Sequence, residues 1–112
     1  MTVHDIVSAL GLEIAAGAEG LDNAVTGGYA SDLLSCVMAN ASAGNVWVTL
    51  QSHVNVVAVA SLLNLACVII TEGMRPDDEM IERANENRIP TLLTAHSTYH
   101  TVGELVRLGI QG

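Results

Sequence analysis

The chain contains no lysine. A P-loop kinase needs a lysine beside its glycines to reach the phosphates, so Walker-type phosphoryl transfer is excluded. Schiff-base chemistry on a lysine amine is excluded with it. Four arginines stand against twelve acids, for a net charge of -8. They cannot build the basic face that displaces counterions from a nucleic acid, and an anionic membrane surface is disfavoured for the same reason. The first cation is Arg75, so Asp5, Glu13, Glu19, Asp22, Asp32 and Glu72 precede it with only histidines opposite. Acidity of this kind serves solubility. Phenylalanine is also absent, and one tryptophan and two tyrosines leave the core to aliphatic side chains.

Cysteine is scarce. Cys36 and Cys67 sit inside apolar runs and read as two buried thiols, with no neighbouring cation to make them a redox pair. The longest apolar stretch, residues 54–70, is short for a membrane span and is broken by Asn55, Ser61 and Asn64. Met1-Thr2-Val3-His4-Asp5 lacks the basic and apolar regions of a signal peptide. The expectation is a cytoplasmic protein forming one domain over residues 1–112. Half of the residues are hydrophobic, which rules out a disordered tail.

What is present has an alternating rhythm. Thr2 and Asp5 form a capping box for a first helix that Gly11 ends. Residues 12–15 and 24–29 read as short strands, the second bent by Gly27-Gly28. Ser31 or Asp32 can cap a helix through residue 39 that buries Leu33, Leu34, Val37 and Met38. Strands at 46–50, 67–71 and 90–94 then alternate with helices at 53–66, 77–88 and 100–108. Ser52 is the expected cap of the helix at 53–66, whose apolar residues run nearly all the way round. Thr101 and Glu104 suggest a capping box for the last helix. Pro90 lacks an amide donor and argues that its strand lies near an edge. Repeated βαβ units give an α/β fold, three-layer α/β/α, with a mostly parallel sheet.

Two junctions in this rhythm are distinctive. The segment Val25-Thr26-Gly27-Gly28-Tyr29-Ala30-Ser31-Asp32-Leu33-Leu34-Ser35 resembles the DRTGG domain, and so does Trp47-Val48-Thr49-Leu50-Gln51-Ser52-His53-Val54-Asn55-Val56-Val57-Ala58-Val59-Ala60. Ile69-Ile70-Thr71-Glu72-Gly73 and Ile89-Pro90 extend the resemblance over nearly the whole chain. Of the family's naming pentapeptide, only Thr26-Gly27-Gly28 stands here. The resemblance implies an α/β domain related to the N-terminal domain of HPr kinase/phosphorylase. It also implies occurrence as a stand-alone protein, sometimes near hydrogenase systems, or fused to CBS-pair pyrophosphatases and phosphotransacetylases. In the fused proteins it implies a regulatory or dimer-forming role.

In such folds ligands bind beyond the carboxyl ends of the strands. Three junctions are expected to converge there: Gly27, Gly28, Ser31 and Asp32; Gln51, His53 and Asn55; and Thr71, Gly73 and Arg75. The glycine pair either lets backbone amides approach a phosphate or simply forms a bulge. His53 is either a donor or base, or a first-turn residue completing a helix cap. Arg75 either holds an anion or pairs with Asp78 or Glu79. His96 and His100, four apart, are an incomplete metal site or solvent-facing side chains. No metal or cofactor is expected. The leading function is a non-catalytic regulatory or ligand-sensing module, self-associating as a homodimer and binding a nucleotide or other phosphorylated metabolite. One alternative is a phosphate-transferring or hydrolytic subunit using His53 with Asp32 or Glu72. Another is a scaffold for a protein partner in a hydrogenase system.

Overall fold

A computed structural model describes all residues, 1–112. Its first helix, α1 (Val3–Leu10), carries the expected box: the Thr2 hydroxyl accepts from the Asp5 amide while the Asp5 carboxylate accepts from the Thr2 amide. The hydrogen bond from that backbone amide is the main reason the Asp5 carboxyl titrates below its ordinary value. Gly11 closes the helix at φ 65°, a left-handed position that suits glycine.

Five strands follow in one sheet: β1 (Glu13–Ala16), β2 (Gly27–Ala30), β3 (Asn45–Thr49), β4 (Cys67–Ile70) and β5 (Thr91–Leu93). Their spatial order is β1-β5-β4-β3-β2, with β2 to β5 parallel and β1 antiparallel to β5. The three-layer, mostly parallel architecture is therefore as the alternation implies. Pro90 precedes β5 and gives its carbonyl to the Val68 amide; β5 lies near the edge, as expected, next to the edge strand β1.

Steps from β2 to β5 always move to the next strand in one direction. Right-handed crossovers then place α2 (Leu34–Asn40), α3 (Val54–Leu62) and α4 (Asp78–Asn87) on one face. Val37, Val56, Val57, Ala60, Met80 and Ala84 pack there with Trp47, Val68 and Ile70. The other face is covered by α1 and α5 (Thr98–Arg107), where Val3, Ile6 and Leu105 meet Val46, Val48, Ile69 and Leu92. Every residue of β4 is buried, as its unbroken apolar run requires of a central parallel strand. Cys67 belongs to it, and burial pushes its thiol up to about 12; Cys36 is only half-buried.

Several boundaries differ from expectation. His53, not Ser52, is the N-cap of α3, and no side chain completes that cap. Neither Ser31 nor Asp32 caps α2, which begins after Leu33. Helix α5 starts one turn early under Ser97, whose hydroxyl accepts from the His100 amide. Thr101 is instead buried and donates to the Ser97 carbonyl. In α2 the apolar pattern overstates burial: Leu33 and Met38 are 60% and 50% exposed. No helix is long and apolar enough to cross a membrane.

Candidate functional site

The carboxyl rim of the parallel strands divides into two halves with different character. At the β2/β3 half the polar groups satisfy one another. The Thr49 hydroxyl donates to Asp32 Oδ1 at 2.8 Å, and the Leu50 amide donates to the same oxygen at 2.8 Å. Gln51 Nε2 donates to the Asp32 carbonyl at 3.0 Å. Ser31 accepts the Trp47 indole N–H at its carbonyl, at 2.9 Å, and the Leu33 amide at its hydroxyl. Asp32 is thus a clasp between consecutive loops, positioned because a carboxylate accepts several donors at once.

The β4/β5 half is built around a divergence. After β4 the chain turns to α4 on one face; after β5 it turns to α5 on the other. Adjacent strands whose exits separate in this way leave a crevice at their carboxyl ends. A cleft of about 480 Å³ lies there. Gly73, Met74 and Arg75 line it from the loop after β4, and Thr94, Ala95 and His96 from the loop after β5. Leu10, Gly11 and Glu13 close it from α1 and β1.

The two loops are tied beneath the cleft. The Glu72 and Gly73 amides donate to the carbonyls of His96 and Thr94. The Glu72 carboxylate accepts the Thr98 amide at 2.9 Å, in the first turn of α5, where negative charge complements the helix dipole. Buried Thr71 shares a 2.7 Å hydrogen bond with Thr98. Arg75 and Ala95 both line the cleft, and their backbone N–H groups donate to no acceptor in the chain.

Arg75 is not paired with Asp78 or Glu79. Its Nη2 and Nη1 reach Glu13 Oε2 and Oε1 at 2.6 and 3.3 Å, a two-pronged contact from the antiparallel edge strand. That hydrogen bond holds the Glu13 carboxyl below its ordinary value and pushes the Arg75 guanidinium up. The pair therefore contributes above the ordinary glutamate range and is lost as pH falls through the lowered value. A carboxyl NMR titration should therefore place Glu13 below 4.5. In Arg75→Ala its midpoint should rise; an unchanged midpoint would show that the pair is not formed in solution.

The DRTGG family model matches residues 5–108. The chain belongs to the DRTGG domain family. By structure this DRTGG domain is similar to "the CBS and DRTGG domains of the regulatory region of Clostridium perfringens pyrophosphatase complexed with activator, diadenosine tetraphosphate", with a TM-score of 0.75 and 20% identity. The match covers 94% of this chain and 46% of that one, so the domain spans about half of the solved regulatory region. At that identity the likeness is one of fold. No curated protein matches the chain.

Set on this DRTGG fold, the expected residues do not all converge. Gly27 and Gly28 open β2 beside Asn45 and Val46, at the amino end of the sheet and away from the carboxyl rim. A Cβ on Gly27 would come within 2.8 Å of the Gln111 carbonyl, and the Gly28 amide donates to that same carbonyl. Their lack of side chains admits the C-terminal segment, and they leave the ligand group on that account. His53 is exposed, its Nδ1 4.0 Å from Asp77 Oδ2. Neither Asp32 nor Glu72 hydrogen-bonds it: Asp32 accepts from Thr49 and Leu50, and Glu72 from Thr98. Asn55 is exposed in the first turn of α3 without a side-chain hydrogen bond. The His96 and His100 rings stack at 4.1 Å, but no group of three ligands capable of holding a metal ion forms. Gly73 and Arg75 remain together at the cleft, whereas Thr71 is fully buried, shares its hydroxyl hydrogen bond with Thr98 and leaves the ligand group. Glu13, Thr94, Ala95 and His96 join them unanticipated, because loop and edge strand are brought together only by the sheet order.

Proposed function

We propose that residues 1–112 act as a single non-catalytic regulatory module, in the cytoplasm, that binds the anionic end of a nucleotide or other phosphorylated metabolite in the cleft between the loops after β4 and β5. The cleft itself carries this reading. It sits where the strand exits diverge, and it offers the rim's arginine together with the uncommitted N–H groups of Arg75 and Ala95. Charge-assisted donors in a two-pronged array suit a phosphate or carboxylate. The regulatory region of similar fold, solved with a dinucleotide activator, supports a nucleotide as the first ligand class to try. The self-satisfied Asp32 clasp favours a structural role for the other half of the rim.

A thermal-shift screen with AMP, ADP, ATP and diadenosine tetraphosphate tests the proposal. A ligand that binds only the native state at about a hundred times its Kd adds about 2.7 kcal/mol, an upward shift of about ten degrees. Melting curves unchanged by all four compounds would overturn it.

Self-association is the second part of the proposal. Leu33, Met38 and Leu62 are half or more exposed on α2 and α3 or their ends. Exposed apolar side chains of this size fit an interface with a second copy or a protein partner. Sedimentation should show a dimer; a monomer at high concentration would contradict it.

A further inference from the structure

We propose that Glu13 sets the affinity of this cleft: its carboxylate occupies Arg75 in the free protein, and a ligand's anionic group must displace it to take the same two guanidinium nitrogens. The inference rests on the function proposed above and names the residue that regulates that site. Its basis is the position of the pair. Arg75 and Glu13 both line the cleft, so the one cation available to a ligand is already satisfied from within. Glu13 arrives from β1, the edge strand, and its partner lies on the loop after β4. The contact is thus a bridge between two walls of the cleft and no part of either wall's own fold.

Its chemistry makes the carboxylate an internal stand-in for the ligand. Two oxygens meet two guanidinium nitrogens, the arrangement a terminal phosphate or carboxylate would adopt. Displacement is within reach of a small ligand. The two side chains are 66% and 55% exposed, and exposed ion pairs of this kind hold weakly. The surroundings also oppose an anion while Glu13 stays in place, since its carboxylate lies against the single guanidinium of the lining. Moving Glu13 aside frees the arginine and withdraws that charge from its neighbourhood. The matching ligand presents one anionic group at this point. A longer polyphosphate would keep charges that no other cation of the cleft answers.

Calorimetric titration of AMP into the full chain tests this. Glu13→Gln keeps the side chain's size and removes its charge, and should bind AMP about tenfold more tightly than wild type. Arg75→Ala should bind at least tenfold more weakly, and adding Glu13→Gln to it should restore nothing. Saturating AMP should also raise the Glu13 carboxyl midpoint toward its ordinary value in the wild-type protein. Equal or weaker binding by Glu13→Gln, with binding still lost in Arg75→Ala, would overturn the role of Glu13 and leave the site standing. Equal binding by wild type and Arg75→Ala, or none by wild type and Glu13→Gln, would overturn both.

Discussion

Trp47→Ala should cost about 3–5 kcal/mol of stability, seen as a large fall in the urea midpoint at nearly unchanged slope. Trp47 is fully buried in β3, in the face covered by α2, α3 and α4. Interiors packed to crystal density relax only partly around a deletion of this size. The indole also holds the rim, because its N–H donates to the Ser31 carbonyl beside the Asp32 clasp. Trp47→Phe retains most of the bulk and loses that bond, so about 1–2 kcal/mol is expected from it. Equal losses from the two variants would mean that the hydrogen bond, and not packing, is the tryptophan's main contribution.

The second large effect is on binding. Arg75→Ala should weaken a phosphorylated ligand about a hundredfold, near 3 kcal/mol, because two charge-assisted hydrogen bonds are lost together. Stability should hardly change. The Arg75–Glu13 pair is solvent-exposed on both sides, and no other side chain uses the guanidinium. Loss of binding with an unaltered melting temperature separates a recognition role from a structural one. Binding that survives would place the ligand elsewhere, with the apolar groove of about 280 Å³ between β2 and α5 the next place to look.

Local signals in the sequence translated well where a few neighbouring residues decide the outcome. Thr2, Asp5 and Gly11 bound α1 because a capping box and a left-handed glycine need nothing from the rest of the chain. The apolar run at Cys67–Ile70 marked the central strand because burial on both faces tolerates only such residues. Competing local signals were less legible. Thr101 looked like a cap, but the helix starts a turn earlier under Ser97, and the Thr101 hydroxyl donates to the Ser97 carbonyl instead.

Non-local features could not be seen. Gly27-Gly28 announces that something approaches closely, but only the fold reveals it to be the Gln111 carbonyl and not a ligand. Pro90 suggested a place near an edge because it cannot donate, but only the fold reveals that the edge strand beside β5 is β1. Glu13 reaches Arg75 only because β1 returns antiparallel beside β5. Of the expected site, Gly73 and Arg75 were readable as a loop after a central strand. The other walls of the cleft depend on strand order, which a single sequence does not display.

An amide NMR titration with AMP tests the central claim most directly. Shifts concentrated on Gly73–Arg75, Thr94–His96 and Glu13 are predicted, with Gly27 and Gly28 unmoved. Shifts centred on Gly28 and the β2 edge, or no shifts at saturating AMP, would contradict it.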